Sequence, residues 1–225
     1  MNRLITEMVS LSTLARARRV AILLSVIALP LSTAVCASKP APATVVAGPA
    51  PDSFRVTFTT SRGPVVVQVN RAWAPLGADR FYQLVQSGFY NENRFFRVVP
   101  GFVAQFGLND KPAINDKWDA TRIPDDSVRQ SNARGTLVFA TEGPQTRSHQ
   151  MFINLADNAR LDPLGFAPIG RVVDGMAAVD SIYSGYGDQP DQHLIQTLGN
   201  AYLSRMFAKL DYIKTATVEP SNANR

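Results

Sequence analysis

From Phe54 onward apolar and polar residues alternate. Phe54, Val56 and Phe58 are separated by polar positions, Ser61-Arg62-Gly63 carries turn chemistry, and Val65, Val67 and Val69 resume the alternation with Val66 between them. This pattern predicts an opening hairpin. Pro75 then starts a helix whose Phe81, Leu84 and Val85 follow helical spacing, and Gly88 is placed to close it. Strand-like runs recur at 94–99, 102–106, 135–140, 150–155, 167–173 and 212–218. Eight short strands with two or three helices predict a mainly β fold, a closed eight-stranded antiparallel barrel with helices over its ends. Closure of a barrel leaves no strand edge exposed.

Two stretches stand apart from this pattern. Residues 107–134 have no convincing period and contain Asn109-Asp110, Lys111-Pro112 and Pro124-Asp125-Asp126, which reads as a long functional loop. After Pro190-Asp191, Leu194, Leu198, Tyr202, Met206 and Leu210 recur every fourth residue. The stripe predicts one helix packed on the barrel in preference to a partner-binding helix.

The N-terminus is built differently. Residues 1–19 are positively charged and residues 20–35 form an apolar run broken only by Pro30, shorter than the roughly 18–20 residues a membrane span needs. Val35-Cys36-Ala37 supplies the small residues that signal peptidase reads, so residues 1–37 are expected to be a signal peptide cut after Ala37. Lipidation at Cys36 is the sharper alternative, against which stands the departure of Thr33-Ala34-Val35 from a lipoprotein signal. Twin-arginine export through Arg18-Arg19 and an uncleaved anchor are weaker readings. Residues 38–52, rich in Pro and Ala, read as a linker, residues 53–219 as the folded domain, and 220–225 as a disordered tail. The expected location is the periplasm of a Gram-negative cell, with membrane contact only through the signal peptide or a lipid on Cys36.

Composition narrows the chemistry. One cysteine and two histidines, His149 and His193, exclude disulfide scaffolds, zinc ribbons and CxxC redox centres. Of the formal charge of +5, Arg3, Arg16, Arg18 and Arg19 against Glu7 place 4 − 1 = +3 in the leader, which leaves +2 for the remaining 188 residues. That balance gives no warrant for a nucleic-acid partner. No metal and no cofactor are expected.

The informative segments are Phe95-Phe96-Arg97-Val98-Val99-Pro100-Gly101-Phe102-Val103-Ala104-Gln105, Gly135-Thr136-Leu137-Val138-Phe139-Ala140, Gly143-Pro144 and Ser148-His149-Gln150-Met151-Phe152-Ile153. The first reads as two strands around a Pro-Gly turn. Antiparallel pairing puts Arg97 opposite Ala104 or Gln105 according to register, with Phe102, Val103 and Phe152 as apolar neighbours.

In these segments the chain resembles the cyclophilin family of peptidyl-prolyl cis-trans isomerases, over roughly residues 53–219. The resemblance implies that Arg97 is the catalytic arginine, Phe102 the aromatic floor of a proline pocket, and Gln105 the glutamine that binds substrate backbone. It implies pocket positions at Val103, Phe152 and Leu161, a strand end at Ala140 and Thr141 along which the peptide lies, and Phe166 where the family often has His. Met151, where the family often has Phe, is counted with the substrate-binding residues. Arg160 stands where many eukaryotic members carry a Trp that contacts cyclosporin, so weak drug binding is expected. The segment 190–210 has no counterpart in the minimal family core.

These residue types suit the implied reaction. An X-Pro amide rotates against about 18–20 kcal/mol without breaking a covalent bond, and the twisted nitrogen gains a lone pair that a guanidinium can meet. No general base is needed. Ser148-His149 is a tempting nucleophile pair, but neighbours on a strand point to opposite faces and no motif places an acidic residue to orient the histidine. His193 reads as an exposed helix-start residue. The expected partners are proline-containing polypeptides, met by a monomer; a holdase using the same groove without turnover is the competing function. A barrel carrying a small apolar ligand is disfavoured, because the aromatic residues are needed to fill the interior.

Overall fold

The computed structural model describes residues 48–219. The expected leader with Cys36, most of the expected linker and the expected tail lie outside the described residues.

Strands β1 (Ser53–Thr60) and β2 (Gly63–Asn70) form a hairpin across Ser61-Arg62, and alternate residues of each, from Phe54 to Thr60 and from Val65 to Val69, are buried. Helix α1 (Pro75–Gln86) has Pro in its first turn and buries Phe81, Leu84 and Val85, with Gly88 just beyond its end at φ +71°. The chain continues through β3 (Asn93–Arg94), β4 (Arg97–Val99), β5 (Val103–Phe106), α2 (Pro112–Asp119), β6 (Thr136–Phe139) and β7 (Met151–Asn154). A 3-10 turn (Ala159–Leu164), β8 (Pro168–Asp174), α3 (Met176–Asp180), α4 (Gln192–Leu198), α5 (Asn200–Met206) and β9 (Tyr212–Val218) complete it.

All strands join one antiparallel sheet in the order β3-β9-β1-β2-β8-β6-β7-β5-β4. Its two edge strands are consecutive in the chain, and the three steps from Arg94 to Arg97 span about 10 Å at most. The sheet therefore curls until its ends approach each other, giving a mainly β, barrel-like fold. Among the described residues there are nine strands where eight were expected, because the 94–99 run divides at Phe95-Phe96. Phe95 is buried in the main core and Phe96 in a separate cluster with Leu108, Ile195, Leu203 and Leu210. The interior is filled by aromatic rings: Phe58, Tyr90 and Phe95 each meet Phe106 at centroid distances of 5.6, 5.4 and 5.4 Å.

Four expectations need correction. Residues 107–134 are not all loop, since α2 lies within them. The helix escaped the sequence pattern because its apolar face is only Ile114 and Trp118, half-buried against the main core, while its one buried residue is Asn115, whose amide bonds both the N–H and the C=O of Asn109 at 2.8 and 2.9 Å. The stripe from Leu194 to Leu210 is not one helix. Gly199 separates α4 from α5, and Leu194, Leu198 and Met206 are 38%, 54% and 59% exposed while Ile195 and Leu203 are buried. With five helices among the described residues, the capping structure exceeds the expected two or three. Finally, the folded body begins before Ser53: Ala50 is buried in the main core and its N–H bonds Asp79 Oδ1 at 2.8 Å.

Candidate active site

The site is built from the β4–β5 hairpin outward. Val99-Pro100-Gly101-Phe102 is a tight turn closed by a 3.0 Å bond from the Phe102 N–H to the Val99 carbonyl. Proline fixes the second position, and glycine supplies the positive φ of +69° that a type II turn requires at the third. The turn sets the register Arg97↔Gln105, Val98↔Ala104, Val99↔Val103. Arg97 therefore shares a face with Gln105, and its Nη1 donates to Gln105 Oε1 at 3.3 Å. Gln105 in turn donates through Nε2 to Gln150 Oε1 at 2.9 Å and is only 7% exposed, so the acceptor for Arg97 is itself held.

Strands β5, β6 and β7 have every residue buried, on both faces. Ala104, Phe106, Leu137, Phe139, Met151 and Ile153 join the main core. The alternate residues Val103, Val138 and Phe152 form a second cluster with Leu161, against which Phe102, Ala140 and Phe166 pack. Phe152 and Phe166 meet edge to face at 5.8 Å. Phe102 lies under two guanidinium groups, Arg97 at 5.6 Å and Arg160 at 4.7 Å from its ring centre.

The second cluster is the wall of a cavity of about 350 Å3. Arg97, Phe102, Val103, Gln105, Ala140, Thr141, Phe152, Leu161 and Phe166 all line it. Met151 does not. It is fully buried on the barrel side of β7, so its reading as a substrate-binding residue is corrected: adjacent residues on a strand face opposite ways, and Phe152 takes the cavity face.

The cavity also has a polar end that the sequence did not reveal. Asp119 and Arg122 reach it from the end of α2, Gln192 and Gln196 from α4, and Glu142, Thr146, Ser148 and Gln150 from the loop before β7. Asp119 Oδ1 accepts from Ser148 Oγ at 2.6 Å and lies 3.1 Å from His149 Nε2, which is not aligned for a good hydrogen bond. Burial alone would raise the Asp119 carboxyl, but its contacts with His149 and Ser148 and the nearby Arg122 charge outweigh this and hold it below the usual carboxylate range. Ser148 and His149 are thus not on opposite faces of a strand as expected; both approach one carboxylate. The serine donates to the acid, not to the histidine, whose Nδ1 is engaged by the Gly107 carbonyl at 2.6 Å, so no serine-to-base relay exists. His193 is the exposed second residue of α4, its N–H capped by Asp191 Oδ1 at 2.8 Å.

A fixed cation and an amide at the rim of an apolar hollow do not make a hydrolytic site. They suit a reaction in which a bound group changes shape and charge distribution without bond cleavage. Residues 55–199 match the sequence model of the family described as cyclophilin type peptidyl-prolyl cis-trans isomerase/CLD. The chain belongs to the cyclophilin family. It is 39% identical to peptidyl-prolyl cis-trans isomerase A of Dickeya dadantii over 140 residues, covering 58% of this chain and 71% of that one. Identity to peptidyl-prolyl cis-trans isomerase B of Escherichia coli is 36% over 138 residues, covering 56% and 82%. In fold it is similar to a cyclophilin-type isomerase of Cryptosporidium parvum at a TM-score of 0.57 and 20% identity, covering 75% of this chain and 99% of that one. The same protein solved in the presence of the dipeptide Ala-Pro matches at 0.56. As a cyclophilin, the chain is a peptidyl-prolyl cis-trans isomerase.

Proposed function

We propose that this cyclophilin isomerises X-Pro bonds in polypeptides folding outside the cytoplasm, with Arg97 as its catalytic residue. The observation that carries the reading is Arg97 at the rim of the apolar hollow, braced by Gln105. A proline ring enters between Phe102, Val103, Phe152, Leu161 and Phe166, where water is excluded and rotation of the ring is hindered. The peptide backbone on the other side of the scissile-free bond lies along Ala140 and Thr141, with Gln105 holding a backbone group. As the amide twists, resonance is lost, the proline nitrogen becomes pyramidal, and its new lone pair accepts a hydrogen bond from the Arg97 guanidinium. The planar cis and trans forms have no such lone pair to offer. Arginine thus binds the twisted state more strongly than either ground state, and that difference is what lowers the barrier. The low local dielectric of the hollow strengthens the contact.

The substrate class is supported by the Ala-Pro dipeptide present with the Cryptosporidium parvum relative. Export rests on the charged and apolar leader with its Val35-Cys36-Ala37 site. In a protease-coupled assay on a proline tetrapeptide, Arg97→Ala is expected to lower kcat/KM by about 10²–10³-fold, the usual loss for one charge-stabilising donor. Unchanged turnover would favour the holdase function instead. Mass spectrometry of the mature N-terminus tests export, a start at Ser38 supporting cleavage after Ala37 and a lipid-modified Cys36 supporting anchoring.

A further inference from the structure

Arg97 and Gln105 are the last pair of the β4–β5 ladder, at the end away from the Pro100-Gly101 turn. The turn fixes one end of this hairpin. At the other, β4 is a three-residue strand on an edge of the sheet, where a ladder frays unless something outside it holds the backbone. Both chain segments leaving that end are buried in one cluster. Phe96, just before β4, and Leu108, two residues beyond β5, are each 1% exposed and pack with Ile195 of α4, Leu203 of α5 and Leu210. Val98, the middle residue of β4, donates its N–H to the Gly187 carbonyl at 3.1 Å, and beside that glycine Tyr186 meets Phe207 edge to face at 5.1 Å. The backbone on each side of Arg97 is thus held by residues 186–210. That segment is anchored in turn: the Asn200 N–H bonds Asp110 Oδ1 at 2.8 Å, its side-chain amide bonds the Glu92 carbonyl at 3.0 Å, and the Leu210 carbonyl accepts from Arg94 Nη1 at 3.3 Å. The part of it that the family resemblance leaves without a counterpart, residues 190–210, supplies Ile195, Leu203 and Leu210 to the cluster.

We propose that α4 and α5 clamp the open end of the β4–β5 hairpin and so hold the Arg97 guanidinium where the twisted amide forms, with Ile195 and Leu203 as positioning residues for the isomerisation. This rests on the reading of Arg97 as the catalytic residue and deepens it. The proline nitrogen accepts from Arg97 only when the amide is twisted. A guanidinium displaced by a fraction of an ångström therefore leaves binding of the planar peptide as it was and weakens binding of the twisted one, so the loss falls on kcat and not on KM.

The test measures kcat and KM separately on a proline tetrapeptide for Ile195→Ala and Leu203→Ala, each made alone and in the Arg97→Ala background, with thermal melts to establish folding. Each single variant is expected to lower kcat by about tenfold while KM changes by less than about twofold. Once Arg97 is gone, the same truncations should cost less than about twofold more, because they act through it. Ile195→Val, which keeps most of the volume, should retain kcat within about twofold. Val179→Ala truncates the main core on α3, against β2 in the middle of the sheet order, and should leave kcat unchanged. Should an alanine variant melt below the assay temperature, Tyr186→Leu loosens the same cluster from a half-buried position and is read in the same way, with a loss of about threefold expected. Wild-type kcat in the folded variants, or an equal loss with and without Arg97, would overturn the clamp and leave Arg97 as the catalytic residue. Full turnover by Arg97→Ala would instead remove the reading of Arg97, and the clamp with it.

Discussion

Arg97 and Gln105 are direct partners across the β4–β5 ladder, and the guanidinium donates to the amide oxygen at 3.3 Å. Because Gln105 also donates to Gln150, its carbonyl oxygen is aimed toward Arg97 rather than free to rotate. Gln105→Leu keeps the volume and removes the acceptor, so kcat/KM is expected to fall about tenfold, equivalent to 1.36 kcal/mol of transition-state binding. Arg97→Lys should fall nearly as far as Arg97→Ala, since an ammonium on a flexible stem does not reproduce a braced planar fork. A lysine variant with wild-type turnover would contradict the geometric argument.

The proposed chemistry transfers no proton, and a guanidinium stays charged throughout the neutral range. Catalytic efficiency is therefore expected to be nearly flat between pH 6 and 8. A steep sigmoid in kcat/KM across that window would implicate a histidine and defeat Arg97 as the sole charged catalyst.

Acid should weaken the fold through Asp211. Its carboxylate is 7% exposed and joins three segments, accepting from Ser61 Oγ at 2.7 Å, the Tyr183 N–H at 2.7 Å and Arg62 Nε at 2.8 Å. Burial pushes this carboxyl up, but the bonds from Ser61, Tyr183 and Arg62 outweigh it and leave the folded value below the ordinary one. A lowered folded value means stability that is fully present above the unfolded value near pH 4 and lost as pH falls through the folded one. Asp211→Asn is expected to cost about 1–3 kcal/mol at neutral pH, by denaturant unfolding, and to flatten the loss of stability below pH 4.

Two glycines separate backbone strain from crowding. Gly101 has φ +69° but open space where a Cβ would sit, whereas Gly199 has φ +61° and a Cβ there would collide with the Asp110 carbonyl. Gly101→Ala should lose about 1–2 kcal/mol, the left-handed cost alone. Gly199→Ala should lose more, because the Asp110 backbone must move as well. Equal midpoints for the two variants in urea would refute the distinction.

Arg160 lies 4.7 Å from the centre of the Phe102 ring, and the resemblance sets it against the tryptophan of many eukaryotic cyclophilins. Cyclosporin is expected to inhibit the wild type weakly and Arg160→Trp about tenfold or more better, with peptide turnover preserved. Isothermal titration of the two proteins checks this.

The sequence by itself determined the local pieces: the β1–β2 hairpin from its alternation, α1 from Pro75 and its apolar face, and the Arg97-to-Gln105 hairpin from Pro100-Gly101. These depend on contacts within a few residues, which composition and spacing record. Register was beyond it, because Arg97 could face Ala104 or Gln105 until the turn closed on Val99. The face of Met151 was likewise not legible. A period of two tells which residues alternate, but β5, β6 and β7 are buried on both sides, and a run such as Met151-Phe152-Ile153, apolar on both faces, carries no phase. Helix α2 left no stripe long enough to read, because only Ile114 and Trp118 pack on the core and the Asn109–Asn115 amide pair supplies the rest of its anchorage. The polar end of the cavity was decided only by the tertiary structure: Asp119 meets Ser148 across 29 residues and Gln196 across 77, and contacts closed over such distances leave no mark on local sequence.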